Sequence, residues 1–233
     1  AVYALLYTGT DWLTDNEPVQ VSFPRANRRY FEARIEAAEA SAEAGTGYYQ
    51  VQWPAEEVRS DLGMVRLRNR NQVPAWGGLY WQYFQDIDQV EALTDNPLQL
   101  ERQLLRRSNT GQGDELVPLN ESPRPGDRIT VRLIVRTDRD MEFLHLKDLR
   151  ASGLEPIEQL SGYRWQDGLG YYQSTTDLGT HFFFDRLPRG TYVLEYDLYV
   201  TYRGDFANGL ATLQCMYAPA FSSRSSGGRL KVE

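Results

Sequence analysis

Residues His181 to Val200, HFFFDRLPRGTYVLEYDLYV, hold two apolar-rich runs separated by Leu-Pro-Arg-Gly. In the second run Tyr192, Leu194, Tyr196, Leu198 and Val200 fall on one face and Thr191, Val193, Glu195 and Asp197 on the other, the period of two that a half-buried strand requires. In the first run Phe182, Phe183 and Phe184 put large apolar surface on both faces, which predicts a central strand covered on both sides. Pro188 and Gly190 end that run, so the pair reads as a sheet-building hairpin. Upstream, Ile129, Val131, Leu133 and Val135 alternate with Thr130, Arg132 and Arg136, and MEFLHLKDL supplies another strand. QLERQLLRR begins a further strand, and Leu213, Cys215 and Tyr217 close the pattern on one face before a Ser- and Gly-rich tail, Ser222 to Gly228. Turn signals at Ser152-Gly153, Gly162 and Asp167-Gly168-Leu169-Gly170 separate short segments. About seven strands at regular spacing predict a sandwich over 97–233.

The first third reads differently. Val2, Leu5, Leu6 and Gly9 recur at helical spacing ahead of Trp12 and Leu13, which predicts a helix over 1–13. Val19, Val21 and Phe23 alternate with polar residues, as do Tyr49, Val51 and Trp53 after a turn at Gly45 to Gly47. Between them EARIEAAEASAE, Glu32 to Glu43, has high helix propensity but only Ile35 as a large apolar side chain. Strand-like neighbours on both sides predict an irregular excursion there. Met64, Arg66, Arg68 and Arg70 oppose Val65 and Leu67. Trp76, Leu79, Trp81, Tyr83 and Phe84 then crowd together and read as a strand covered on both faces, with a sugar-stacking platform as the alternative. A break at Thr94 to Pro97 ends this small β unit, 14–93. The fold class expected is therefore all-β, two tandem β-sandwich-like domains behind an N-terminal helix remnant.

Composition sharpens this picture at three points. A chain of 233 residues is long for one sandwich and suits two domains, and 41% hydrophobic content is enough for each to bury a core. A net charge of −7 leaves no basic excess to neutralise phosphates, which argues against nucleic-acid or anionic-membrane partners. Arg102, Arg106 and Arg107 are the nearest thing to a basic cluster and read as a solvated strand edge. No run of about 18 apolar residues is long enough to span a bilayer. The opening segment lacks a signal-peptide pattern and an initiating Met, and reads as part of something longer.

Catalytic chemistry finds few pieces to work with. Cys215 is the lone cysteine, so neither an intrachain disulfide nor a cysteine-based zinc set can form, and its alternation with Leu213 places the thiol on the core side. His145 and His181 lie in separate segments and read as exposed or hydrogen-bonded strand residues, not ligands. Asp138, Asp140 and Asp167 lack the ligand spacing of a calcium loop, and Gly168 lacks the helix and lysine of a nucleotide loop. The expectation is no catalytic, cofactor-binding or metal residue.

GDRITVRLIVRTDRDMEFLHLKDLRASGLEP, then FFFDRLPRGTYVLEYDLYVTYRGDF, then QCMYAPAFSSRS, resembles the C-terminal domain of bacterial alpha-2-macroglobulin family proteins, in particular the long forms of Bacteroidetes-type bacteria. The markers are Gly126-Asp127, Asp148 to Pro156, the Leu-Pro-Arg-Gly turn and Met216-Tyr217-Ala218-Pro219, in order. Under this resemblance AVYALLYTGTDWL is similar to the closing helix of a thioester-type helical domain, and 14–93 to the small β-domain inserted before the terminal sandwich. The resemblance implies a large envelope protein, periplasmic or membrane-anchored, that traps endopeptidases after bait cleavage, with other domains of the same chain and target proteases as its partners. The family's Cys-Gly-Glu-Gln thioester is not matched, since Met216 and Tyr217 follow Cys215. No thioester residue is expected in this chain, and its role would be structural and interfacial, not enzymatic. A carbohydrate- or cell-surface-binding module, using Trp76 to Phe84 and the Tyr163 to Tyr172 loop, is the alternative.

Overall fold

The computed structural model describes residues 19–26, 28–42, 48–71, 74–94, 97–109, 111, 113–166 and 168–233. The expected helix over 1–13, the turn at Gly45 to Gly47, Asp95, Asn96 and Asp167 lie outside them. The chain divides into two compact units, Ala1–Gln82 and Tyr83–Glu233.

In the first unit, β1 (Gln20–Ser22) pairs antiparallel with β2 (Arg66–Arg68), Val21 opposite Leu67. From Glu32 to Ala40 the expected excursion is instead helix, part of α1 (Arg28–Ala40), and Glu43 lies outside the described residues. Phe31 lies just ahead of the Ala- and Glu-rich stretch and completes an apolar pair with Ile35 one turn on, and both are buried. Propensity and docking thus agree after all. Phe31 and Ile35 pack with Phe23 and Leu62, and Tyr49, Val51 and Trp53 close over them. Trp53 meets Phe23 edge-on at 5.3 Å and Phe31 at 5.9 Å. The 48–53 stretch has its alternating side chains in this core without joining a ladder.

The second unit is a two-sheet sandwich. One sheet has five strands in the order β4–β3–β5–β11–β7: β3 (Leu98–Asn109), β4 (Asp114–Pro118), β5 (Arg128–Thr137), β7 (Leu154–Pro156) and β11 (Gly190–Val200). The other has six in the order β14–β13–β6–β10–β9–β8: β6 (Met141–Leu149), β8 (Gly162–Gln166), β9 (Leu169–Thr175), β10 (Gly179–Leu187), β13 (Ala211–Cys215) and β14 (Ser222–Arg224). β12 (Gly204–Asn208) and β15 (Gly228–Val232) form a separate ribbon. Period-two alternation sends Ile129, Val131, Leu133 and Val135 of one sheet against Leu144, Leu146, Phe182, Phe184 and Leu213 of the other, all at most 2% exposed. The strands of the sandwich are antiparallel throughout.

The hairpin expected at 181–200 is not one. β10 pairs with β6 and β9, whereas β11 pairs with β5 and β7, so Leu-Pro-Arg-Gly carries the chain from one sheet to the other as an arch. The β5–β6 connection crosses in the same way. Both strands have apolar inner faces, and crossing lets those faces meet: the Phe182 and Tyr196 rings are 6.0 Å apart across the sandwich. Asp140 ties the two arches together, accepting from the Arg189 backbone N–H at 2.9 Å and pairing with Arg186 at 2.9 Å.

The Ser-rich tail is ordered. The Ser223 hydroxyl accepts from Leu100 N–H at 3.0 Å and donates to Leu93 O at 2.7 Å, and Ser225 accepts from Ala211 N–H at 3.0 Å. Leu93 and Arg224 exchange both backbone hydrogen bonds, and Gly227 N–H donates to Val90 O at 2.8 Å. A Cβ at Gly227 would collide with the Ile87 carbonyl, so only glycine lets the 87–93 segment lie this close.

Candidate functional site

Arg102 and Asp148 stand where the alternation calls for apolar residues. Leu98, Leu100, Arg102 and Leu104 share the inward face of β3, and Leu144, Leu146 and Asp148 that of β6. The solvated-edge reading of Arg102 is therefore overturned: its side chain is 5% exposed and that of Asp148 fully buried, with Nε and Oδ1 2.8 Å apart across the two sheets. Arg106 and Arg107 remain partly exposed. The rest of the Arg102 guanidinium donates to Gly209 O at 2.9 Å and Leu149 O at 3.1 Å. Tyr196 on β11 donates its hydroxyl to Asp148 Oδ2 at 2.6 Å. Arg150, also buried, donates to the Thr176 and Gly179 carbonyls. Burial raises the Asp148 carboxyl above its ordinary value, with Arg102 and the Tyr196 hydroxyl pulling the other way. This cluster joins the sheets; Asp148 has no exposed side-chain surface, while Arg102 also lines a pocket of about 250 Å³ with Gln99, Arg136 and Ser225.

Burial, followed by the charge of Asp148, pushes the Tyr196 phenol well above 10.0. The unfolded phenol loses its proton above that value while the folded one keeps it. The stabilising contribution is thus intact below about pH 10 and declines above it by roughly 1.4 kcal/mol per pH unit. Urea melts of the wild type and Tyr196→Phe between about pH 9 and pH 11 are expected to differ by this slope, the variant being the less alkali-sensitive. Parallel lines would exclude it.

The histidines and the cysteine occupy other places. His145 and His181 point from neighbouring strands β6 and β10 onto the outer face of the six-stranded sheet, and the antiparallel register brings His145 Nε2 to 2.9 Å from His181 Nδ1. They are hydrogen-bonded strand residues, as expected, but their partner is each other, which sequence separation conceals. Phe183 stacks on His145, centroids 4.6 Å apart and 3° from parallel, so the outer face of β10 is lined by rings from its own sheet and not covered by a further layer. Cys215 is partly exposed, not a core thiol. Its Sγ donates to Glu142 O at 3.4 Å in a surface cleft of about 570 Å³ lined also by Asp140, Phe143, Arg186 and Tyr217. Neither histidine lines that cleft. The hydrogen bond from Arg139 lowers the Asp138 carboxyl below its ordinary value, and the Arg189 backbone N–H, followed by Arg186, lowers that of Asp140. Among the described residues no group of three or more His, Cys, Asp or Glu side chains is arranged to hold a metal ion.

The aromatic stretch near residue 80 is neither a strand nor covered. Trp76 and Tyr80 are each 87% exposed, with Leu79 and Trp81 exposed beside them in the first unit. Tyr83 and Phe84, in the second unit, are exposed as well. Its aromatic density suggested burial, but among the described residues no strand pairs with it in a ladder. On the sandwich, Tyr163 and Trp165 of the edge strand β8 are likewise exposed.

The bacterial alpha-2-macroglobulin MG10 domain model matches residues 98–220, more than half of the chain and nearly all of the sandwich. Among solved structures, Escherichia coli alpha-2-macroglobulin activated by porcine elastase is 21% identical with a TM-score of 0.50, over 61% of this chain and 14% of that one. Salmonella alpha-2-macroglobulin reacted with methylamine is 22% identical at a TM-score of 0.49, over 61% of this chain and 9% of that one. Native Escherichia coli alpha-2-macroglobulin from domain MG7 to the C-terminus is 18% identical at 0.48, over 61% of this chain and 24% of that one. The chain thus spans from 9% to 24% of the length of these proteins. No curated protein matches it. Its terminal β-sandwich, built to the MG10 pattern, places the chain in the bacterial alpha-2-macroglobulin family.

Proposed function

We infer that this chain is the C-terminal structural and interaction part of an alpha-2-macroglobulin-like inhibitor that traps endopeptidases after bait cleavage in the cell envelope. The MG10 match over 98–220 carries this reading. In it, 97–233 form the terminal sandwich, 14–93 the small domain before it and 1–13 the closing helix of a thioester-type domain. The chain acts as a scaffold and interface, without catalysis or a thioester of its own, and its partners are other domains of the parent chain and, through them, proteases. The buried Arg102–Asp148–Tyr196 cluster suits a body that moves as one piece, because it ties three strands from both sheets together. Among the described residues no helix is long and apolar enough to cross a membrane.

The test uses the longer protein that carries this chain, incubated with trypsin or elastase. A trapped protease loses activity on a large protein substrate and keeps it on a small peptide. Deleting 97–233 is expected to abolish that separation; undiminished trapping would overturn the reading.

A second reading, a carbohydrate- or cell-surface-binding module, is favoured by the exposure of Trp76 and Tyr80. Retention on a glycan array, lost in Trp76→Ala and Tyr80→Ala, would support it, and absence of retention would end it.

A further inference from the structure

We propose that His145 and His181 form a cross-strand chelating site for a borderline divalent transition metal, Cu²⁺ or Ni²⁺, on the outer face of the six-stranded sheet. Three observations meet there. First, two ligand atoms bound cis at about 2.0–2.1 Å to one metal stand about 2.9 Å apart, while a tetrahedral metal would spread them to about 3.3 Å. The His145 Nε2 to His181 Nδ1 separation is 2.9 Å. It is also the length of the N–H···N hydrogen bond the rings now share, so each ring turns slightly to aim its lone pair at a common ion, and the preference for Cu²⁺ follows the intrinsic affinity order of imidazole sites.

Second, the rings are held before any ligand arrives. The His145 and His181 planes are 8° from parallel, and Phe183 lies 3° from the one and 10° from the other. Both histidines sit on strands at the middle of a hydrogen-bonded sheet, His145 opposite Phe183 and Gln214, His181 opposite Lys147 and Ser174. A fixed pair of this kind loses little freedom on binding.

Third, the pair is partly open to solvent, so water can complete the coordination sphere. Without metal, one ring donates its N–H to the other. On binding, the donor ring changes tautomer: its proton passes through water to its other nitrogen, the freed lone pair binds the ion, and no net proton leaves the pair. Lys147, on the same face, opposes the incoming cation and keeps the site weak.

The experiment titrates the full chain with CuCl₂, NiSO₄ or ZnSO₄, one at a time, in a non-coordinating buffer near neutral pH. Calorimetry follows binding, and electron paramagnetic resonance examines the Cu²⁺ form. One Cu²⁺ with two imidazole nitrogens is expected, with affinity in the order Cu²⁺, Ni²⁺, Zn²⁺. His145→Phe, which keeps the stack on Phe183, and His181→Gln are each expected to weaken Cu²⁺ binding at least about tenfold. Lys147→Gln is expected to tighten it. Far-UV circular dichroism and melting of the metal-free variants confirm that they fold. Binding unchanged in both histidine variants, a spectrum without imidazole nitrogens, or no binding at millimolar Cu²⁺ would each overturn the proposal.

Discussion

Asp148→Ala is expected to destabilise the sandwich by about 3–5 kcal/mol, because it leaves the largely buried Arg102 guanidinium without its charge partner. The side chain of Arg102 is 5% exposed, and the charge it faces at 2.8 Å is the Asp148 carboxylate. The same change leaves the Tyr196 hydroxyl without the acceptor it now reaches at 2.6 Å. A loss of this size is a large fraction of the roughly 5–15 kcal/mol that holds a domain folded. The contrast that identifies the cause is Arg102→Met with Asp148→Leu and Tyr196→Phe, which removes both charges and the hydroxyl that Asp148 accepts from, and fills the space. That triple variant is expected to be near neutral or up to about 4 kcal/mol more stable than the wild type. Urea unfolding of the three proteins measures both effects. If the triple variant fell as far as Asp148→Ala, lost packing and not an unpaired charge would be the cause.

Phe182→Ala is expected to cost about 3–5 kcal/mol, the range for emptying an aromatic site in a core that relaxes only partly. Phe182 is 1% exposed and lies 5.9 Å from the Tyr171 ring and 6.0 Å from that of Tyr196, so the vacancy opens between the sheets and beside the ionic cluster. Phe182→Leu retains much of the volume and is expected to recover part of the loss. Tyr163→Ala, at a ring 81% exposed, is the control and should change stability by less than about 0.5 kcal/mol. Equal losses at the two positions would mean that the outer face of the six-stranded sheet is as tightly packed as the inner one.

Which side chains face inward was legible wherever alternation was clean. Ile129 to Val135 and Tyr192 to Val200 show this, because a two-residue period fixes the face of a strand. Which strands are neighbours was not legible. The same period fits a hairpin and an arch, so β10 and β11 looked paired although they lie in different sheets. Arg102 was misplaced for a related reason: charge predicts exposure, and only its position within a run of inward leucines marks it as buried. For α1 the clue sat one residue ahead of the Ala- and Glu-rich stretch, at Phe31. His145 and His181 belong to the same class. Their 36-residue separation carries no sign of contact until the register of β6 against β10 is known.

The two arches also set how quickly this molecule can form. Because β5 runs directly into β6 and β10 into β11 without pairing, much of the sandwich waits for partners far along the chain: β13 docks on β6, and the Glu233 N–H reaches Pro123 O. Loop closure must be completed before such distant contacts bring any gain, so high contact order implies slow folding, in milliseconds to seconds at this scale. On a ribosome β6 would keep one edge open until Ala211–Cys215 had emerged to pair with it. That interval, more than the finished fold, is when the apolar face carrying Phe182 and Phe184 is most exposed to aggregation.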